Sequence, residues 1–191
     1  MLKSGRIHVH AKSNASRRAW AGPVLLIGFM GAGKSSVGFA LARELGCDFI
    51  DLDVLIERRA GKRIAEIFEK FGEPAFRQME AKALDEVLSG EASCVIALGG
   101  GAFTQPANRE RIARSAGRVV FLEVSFEEAV RRIESAGGTR PLAASRELLQ
   151  KLFRQRESAY VQAHFRSDTS GRSVAEVVRE VAAWVREQGW E

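Results

Sequence analysis

The sequence predicts an α/β fold in which a parallel sheet is covered by helices on both faces. Segments with strand character alternate with segments of helical periodicity along the chain. Several strands, such as those at 24–27 and 95–98, are apolar throughout, which is typical of parallel strands buried on both faces. The first strand runs directly into a glycine-rich turn that opens a helix. Together these three observations favour βα units around one central sheet.

Length and composition predict a single domain that needs no crosslinks. The chain has 191 residues, of which 46% are hydrophobic and 28% are charged, and a domain of this size buries roughly 70% of its unfolded-chain surface. No segment reaches the roughly 18 uninterrupted apolar residues of a membrane helix, so we expect no membrane partner. Cys47 and Cys94 have neither metal-ligand nor redox spacing. We therefore expect two reduced, largely buried thiols in a cytoplasmic protein.

The positive charge is concentrated at the front of the chain. No Asp or Glu precedes Glu44, so residues 1–43 carry +7, and the total of +5 leaves −2 for the remainder. Residues 1–22 also lack hydrophobic periodicity, which predicts a poorly ordered basic extension before a single domain at 23–191. A solvated tail is favoured over a nucleic-acid-binding arm or a transit segment. We therefore do not expect nucleic acid as a partner.

The first half of the chain can be divided by periodicity and by helix-end signals. After the strand at 24–27, apolar residues at 37, 40, 41 and 45 recur at helical spacing. A second strand at 47–50 runs into Asp51-Leu52-Asp53, and a helix extends from Val54 to a C-cap at Gly61. Two more helices are predicted at 64–71, ended by Gly72, and at 74–88.

The second half continues the alternation. A strand at 95–98 stops at three glycines, a short helix covers 106–115, and a strand covers 118–124. Capping-box patterns at Ser125 with Glu128, and at Ser173 with Glu176, each open a helix. Between those helices we predict a mobile glycine-rich loop at about 135–146, a helix at about 147–163 and a fifth strand at 164–168.

Residues 28–35 read Gly-Phe-Met-Gly-Ala-Gly-Lys-Ser and match the phosphate-loop consensus G-x-x-x-x-G-K-[ST] at every fixed position. In such a loop, backbone N–H groups converge on phosphate oxygens, and the following helix adds its positive N-terminal dipole. The Lys34 ammonium would reach the β- and γ-phosphates, and the Ser35 hydroxyl would bind Mg²⁺. The predicted nucleotide-binding residues of this segment are Gly31, Ala32, Gly33, Lys34, Ser35 and Ser36.

Two carboxylates follow the second strand. Because side chains alternate along an extended chain, we expect Asp51 and Asp53 on one side and Leu52 on the other. One carboxylate can hold Mg²⁺, and the other can accept a hydrogen bond from a substrate hydroxyl and assist its deprotonation. An isolated Asp-x-Asp would be an ordinary surface turn, but a neighbouring phosphate loop favours a functional role.

Three further features are candidates for contacts with substrate. The run Gly99-Gly100-Gly101 lets a ligand approach the backbone closely. The guanidinium of Arg77 matches the two oxygens of a carboxylate, although this residue alone would be read as a solvated helix position. Arg140, before Pro141 in the glycine-rich loop, could reach a transferring phosphate when the loop closes, or could be incidental.

Taken in order, these motifs resemble shikimate kinase, and the resemblance runs across residues 24–188. The resemblance implies a P-loop NTPase fold of the nucleoside-monophosphate-kinase type, with a five-stranded parallel sheet and a mobile lid. It implies transfer of the ATP γ-phosphate to the 3-hydroxyl of shikimate, a step of chorismate and aromatic amino-acid biosynthesis. The matching segments are 28–35, Asp51-Leu52-Asp53, Ile67-Phe68, Gly72-Glu73, Phe76-Arg77, Gly99-Gly100-Gly101, Arg140-Pro141-Leu142, and Arg156 with Tyr160.

The resemblance also implies roles for single residues. Lys34, Asp53 and Arg140 would be catalytic, and Asp51 would join Ser35 in supporting Mg²⁺. Arg132 and Arg140 would contact the nucleotide, with Arg132 stacking on adenine. The shikimate-binding residues would be Asp53, Arg77, Gly99, Gly100, Gly101 and Arg156.

The residues leave two other functions open. A gluconate-type kinase would share the phosphate loop, and gluconate would satisfy part of the arginine and aspartate pattern. A regulatory module could bind shikimate or ATP without turnover, with the basic extension on nucleic acid. Lys34, Ser35, Asp53 and Arg140 together favour catalysis. We expect a monomer whose partners are ATP and shikimate.

Overall fold

A computed structural model describes residues 22–90, 94–135 and 146–188, and a five-stranded sheet forms their centre. The strands lie in the spatial order β2-β3-β1-β4-β5, and every neighbouring pair is parallel. This arrangement confirms the predicted fold class. The strands are β1 (Val24–Ile27), β2 (Asp48–Asp51), β3 (Cys94–Ala97), β4 (Arg118–Glu123) and β5 (Phe165–Asp168).

Helices connect the strands and cover the sheet, and their bounds lie within a few residues of those predicted. All four residues of β1, and all four of β3, are buried, as expected of strands covered on both faces. The helices of the described residues are α1 (Lys34–Leu45), α2 (Leu52–Ala60), α3 (Ile64–Leu88), α4 (Pro106–Arg114), α5 (Phe126–Ser135), α6 (Arg146–Tyr160) and α7 (Val174–Glu187), with a 3₁₀ turn at Ala102–Thr104.

The two helices predicted at 64–71 and 74–88 form the single element α3, which is broken at Gly72. Gly72 has φ 76° and ψ 172°, a conformation that a side chain would strain, and Pro74 follows within the element. The break brings the rings of Phe68 and Phe76 together, with centroids 4.7 Å apart. The second half of α3 consequently begins at the predicted substrate-binding edge of the sheet.

The structure corrects the prediction that Asp51 and Asp53 share one side of an extended chain. α2 begins at Leu52 rather than Val54, so Asp51 ends the strand and Asp53 lies in the first helical turn. The Asp51 carboxylate accepts hydrogen bonds from the N–H groups of Asp53 and Val54, which makes it the N-cap of α2. The cap satisfies two N–H groups of the first helical turn, which favours a helix start at Leu52 over two further extended residues.

The cysteines and the capping patterns largely agree with expectation. Cys94 is buried and Cys47 is half-buried, and both are free thiols. Burial raises the pKa of the Cys47 thiol to about 12. Ser173 and Glu176 form the predicted capping box at the start of α7. Among the described residues, every helix is too short or too polar to span a bilayer.

Candidate active site

The phosphate-loop sequence forms a tight turn between β1 and α1. Gly28, Gly31 and Gly33 have φ values of 146°, 82° and 88°, which residues with a side chain rarely adopt. A Cβ atom at Gly28 would lie 2.4 Å from the carbonyl oxygen of Leu122, and one at Gly31 would lie 2.8 Å from that of Ala129. The glycines therefore permit both the turn and its close packing, and they place the loop backbone at the N-terminus of α1.

The Lys34 side chain folds over this loop. Its Nζ donates hydrogen bonds to the carbonyl oxygens of Gly28, at 2.9 Å, and Phe29, at 3.0 Å. An ammonium group has three donors on a flexible stem, so it can exchange such carbonyls for phosphate oxygens without moving the backbone. The loop thus connects β1 to α1 as the sequence predicts, and the contact of Lys34 with phosphate stays a prediction.

Ser35 and Asp51 meet at the carboxyl edge of the sheet. Ser35 Oγ donates to Asp51 Oδ2 at 2.6 Å, while Asp51 Oδ1 accepts the two capping hydrogen bonds of α2. Within the described ranges there is no group of three or more His, Cys, Asp or Glu side chains that could hold a metal by themselves. A hydroxyl and one carboxylate fit Mg²⁺, which completes its octahedral shell with phosphate oxygens and water.

The three glycines after β3 each lie against a different charged side chain. A Cβ atom at any of them would come within 3.0 Å of that side chain, so the charged groups lie directly against the glycine backbone. The structure therefore brings together the predicted acceptor-binding residues, which are far apart in sequence. The distances from an added Cβ are 2.5 Å from Gly99 to Asp53 Oδ1, 2.8 Å from Gly100 to Arg156 Nη1 and 2.7 Å from Gly101 to Arg77 Nη2.

Glu80 belongs to the same charged cluster and is a residue that the sequence reasoning missed. Arg77 Nη1 donates to both of its carboxylate oxygens, at 3.1 and 2.9 Å, and Glu73 holds the opposite edge of the guanidinium. Glu80 is only 1% exposed. Burial raises the pKa of Glu80, and the nearby Asp53 carboxylate raises it further. Arg77 and Arg156 lower the pKa, but their effect is smaller. The sequence did contain a signal for Glu80, which is an acidic residue within the apolar stripe of a predicted helix.

Arg156 and Tyr160 approach the same turn from α6. Arg156 is 7% exposed, and its guanidinium carbon lies 5.9 Å from the ring centroid of Phe29. Burial lowers its pKa. The Tyr160 hydroxyl donates to the carbonyl oxygen of Gly100 at 2.5 Å, and burial raises the pKa of Tyr160 to about 12. Sequence reasoning used Tyr160 only as part of a family pattern.

Arg132 lies apart from the acceptor side, between the phosphate loop and the segment after β5. Its Nη1 donates to Gly31 O at 3.1 Å, its Nη2 to Thr169 O at 2.7 Å, and its Nε to Glu128 Oε1 at 2.7 Å. Its contact with adenine stays a prediction. Arg140 and most of the predicted lid lie outside the described residues.

Comparison with known proteins matches the same part of the chain. A family model described as shikimate kinase matches residues 30–186. The chain belongs to the shikimate kinase family. The shikimate kinase of Geobacter sulfurreducens is 48% identical to it over 167 residues, which are 86% of this chain and 91% of that protein.

Solved structures agree with this family assignment. A shikimate kinase from Acinetobacter baumannii, in complex with shikimate, has a TM-score of 0.81 and 36% sequence identity, covering 87% of this chain and 94% of its own. A gluconokinase from Sinorhizobium meliloti has a TM-score of 0.65 and 24% identity, covering 90% and 95%, and shows a shared fold. The chain is an ATP-dependent small-molecule kinase with a P-loop NTPase fold.

Proposed function

We propose that this protein transfers the γ-phosphate of ATP to the 3-hydroxyl of shikimate, with Mg²⁺, as a cytoplasmic monomer. The observation that carries the proposal is the meeting of Asp53, Arg77 and Arg156 at one glycine turn, beside the phosphate loop. Family membership supports the same reaction. Two free thiols are typical of a reducing compartment, which supports the cytoplasm.

The acceptor side suits a small acid that carries hydroxyl groups. Arg77 and Arg156 would bind the carboxylate of shikimate, because guanidinium groups bind carboxylates through two parallel hydrogen bonds. Glu73 and Glu80 hold Arg77 so that its Nη2 lies nearest Gly101. The ring of the acceptor would lie against Gly99, Gly100 and Gly101, because these residues have no side chains that would fill the acceptor site.

Asp53 would act on the reacting hydroxyl. Its carboxylate lies against Gly99, at the same turn as the two arginines. A carboxylate there can accept a hydrogen bond from the 3-hydroxyl, orient the oxygen toward the γ-phosphate and assist removal of its proton. We assign this role to Asp53 rather than Asp51, because Asp53 lies at the acceptor turn whereas Asp51 caps α2 and accepts a hydrogen bond from Ser35.

The nucleotide side would consist of the phosphate loop and two arginines. The backbone of residues 31–36 would bind the phosphates, and Lys34 would exchange its two carbonyl acceptors for phosphate oxygens. Arg132 would contact adenine from its position between Gly31 and Thr169. Arg140 would stabilise charge on the transferring group when the lid closes, a proposal that rests on the sequence alone.

Ser35 and Asp51 would hold Mg²⁺, directly or through water. When bound, the ion supplies charge neutralisation at the phosphate oxygens. We expect Ser35→Ala to raise the Mg²⁺ concentration needed for half-maximal activity several-fold, because one ligand is lost. An unchanged Mg²⁺ requirement would contradict this assignment.

The decisive experiment is a coupled assay of ADP release with ATP and Mg²⁺, comparing shikimate, gluconate and buffer. We expect ADP release that depends on shikimate. Release with gluconate alone would identify the other small-molecule kinase, and shikimate binding without ADP release would identify a regulatory module. Deletion of residues 1–22 is expected to leave turnover unchanged, because the proposed site lies wholly within 23–191.

A further inference from the structure

The backbone from Gly100 to Thr104, which follows β3, is held by side chains. Five consecutive carbonyl oxygens, from Gly100 to Thr104, each accept a hydrogen bond from a side chain. The donors are Tyr160 Oη to Gly100 O at 2.5 Å, Thr104 Oγ1 to Gly101 O at 2.7 Å, Asn108 Nδ2 to Ala102 O at 3.0 Å, and Arg109 Nη1 to Phe103 O at 3.0 Å and Thr104 O at 2.9 Å. The glycine turn is therefore fixed from outside the acceptor side.

Tyr160 differs from the other donors because it also lies beside a predicted substrate-binding residue. Thr104, Asn108 and Arg109 come from the turn itself or from α4, whereas Tyr160 is one helical turn from Arg156 on α6. A Cβ atom at Gly100 would lie 2.8 Å from Arg156 Nη1 and 3.8 Å from the Tyr160 hydroxyl oxygen. The hydroxyl, the guanidinium and the glycine turn therefore meet at one point.

The chemistry of the groups fixes the direction of the hydrogen bonds at this point. A guanidinium can only donate, and a carbonyl oxygen can only accept. The Tyr160 hydroxyl donates its single proton to Gly100 O, so its lone pairs remain for Arg156. The Arg156 guanidinium lowers the pKa of Tyr160, against the larger effect of burial, which agrees with that arrangement.

The hydrogen bond to Gly100 O also orients the next amide. Gly100 O and the N–H of Gly101 belong to one trans peptide unit, in which they point in opposite directions. Among the described residues, no carbonyl or side-chain oxygen accepts a hydrogen bond from the N–H of Gly101. Because Tyr160 holds Gly100 O, the N–H of Gly101 points away from α6, where it can donate to another group.

We propose that Tyr160 is a positioning residue for the acceptor: its hydroxyl fixes the orientation of Arg156 and the direction of the Gly101 N–H at once. The proposal rests on the acceptor site described under the proposed function. Tyr160 itself does not touch the acceptor. It acts through the two groups that do.

The simpler explanation is that Tyr160 only fills the core. Its side chain is 2% exposed, and its ring packs on Phe121 with centroids 5.1 Å apart. Packing of the ring does not need the hydroxyl, so Tyr160→Phe separates the two explanations. This change keeps the ring and removes only the hydrogen bonds.

Steady-state kinetics of Tyr160→Phe test the proposal. We expect the KM for shikimate to rise about three- to tenfold, the loss of one or two ordinary hydrogen bonds, while kcat and the KM for ATP stay within about twofold. Phe121→Leu is the matched control, because it loosens the same ring contact and keeps the hydroxyl. It should lower Tm without a selective change in the KM for shikimate. An unchanged KM for shikimate in Tyr160→Phe, or equal changes for both substrates, would overturn the proposal.

A second measurement uses the fact that the chain contains one tyrosine. Uniform labelling with 3-fluorotyrosine gives a single ¹⁹F signal from Tyr160 in the full chain. We expect shikimate alone to shift this signal and a non-hydrolysable ATP analogue alone to leave it nearly unchanged. A signal insensitive to shikimate would overturn the proposal even if Tyr160→Phe did not fold. Failure of the proposed function would be separate, since the unmodified protein would then show no shikimate-dependent ADP release.

Discussion

The two halves of the site are built in different ways. The phosphate side is one continuous segment, residues 28–35, whose donors are backbone N–H groups and one lysine. The acceptor side combines side chains from α2, α3 and α6 with the turn after β3. The first half depends on local backbone geometry, and the second depends on how distant elements pack.

The difference has an electrostatic consequence. Backbone amides at a helix N-terminus bring partial charges and no ionisable group, so they need no buried partner of opposite charge. The acceptor side holds two guanidinium groups and Glu80 in a largely buried cluster, where a lost partner leaves an unpaired buried charge. We therefore expect changes on the phosphate side to affect activity with little loss of stability, and changes to the buried arginine and glutamate groups of the acceptor side to affect binding and stability together.

The largest effect is expected on the phosphate side. Lys34→Met should reduce kcat about a thousandfold or more, because the lysine stabilises charge on the transferring phosphate. Its Tm should fall far less than kcat does, since the carbonyls of Gly28 and Phe29 that Lys34 binds belong to its own loop. Lys82→Met, at an exposed position of α3, is the matched control. A small loss of kcat, or a large loss of Tm, would contradict the contrast between the two halves.

Asp53→Asn is expected to have the second-largest effect. The amide keeps the size of the side chain but is a poor proton acceptor, so kcat should fall about a hundredfold or more. Asp85→Asn removes an exposed ion pair with Arg111 and serves as the control. Coupled ADP release at saturating shikimate measures both variants. Equal kcat values for the two variants would show that Asp53 takes no part in the reaction.

Arg77→Lys tests the geometry of the acceptor side. A lysine keeps the positive charge but lacks the fork that binds Glu73, Glu80 and a carboxylate together. We expect the KM for shikimate to rise about tenfold, with the KM for ATP nearly unchanged. Arg59→Lys, which retains charge at an exposed pair with Glu86, should change neither value. A similar rise in both KM values would point to general disturbance of the fold.

The smallest effect is a pH dependence of stability at Glu80. Because burial raises its pKa in the folded state above the ordinary 4.5, the folded protein binds more protons than the unfolded chain above that pH. Its contribution to stability is fully present below about pH 4.5 and is lost as pH rises through the folded-state pKa. Relative to Glu80→Gln, the unchanged protein should therefore lose free energy of unfolding as pH rises from 4.5.

Urea unfolding of both proteins between pH 4.5 and 8 measures this difference. Glu86→Gln, which removes the exposed partner of Arg59, is the control for loss of an ion pair. The opposite slope would mean that Arg77 and Arg156 outweigh burial at Glu80. In that case the acceptor side would resemble an exposed ion pair more than a buried cluster.

Much of the fold could be read from the sequence because its signals are local. Glycines, capping residues and apolar periodicity act over a few positions, so the strands, most helix ends and the phosphate loop were predicted within a few residues. The start of α2 was wrong by two residues. A capping interaction of Asp51 decided that boundary, and the alternation rule for extended chains did not include it.

The sequence alone determined the alternating architecture and the phosphate side, since a continuous motif carries its geometry with it. Only the tertiary structure decided that Glu80 sits between Arg77 and Asp53, and that Tyr160 holds the turn beside Arg156. Glu80 is 27 positions from Asp53, and Tyr160 is 60 positions from Gly100. The nearer partners, Arg77 and Arg156, lie one helical turn away on helix faces whose neighbours the chain order does not specify. Contacts of that kind are set by the packing of whole elements, because burial determines which charges must pair.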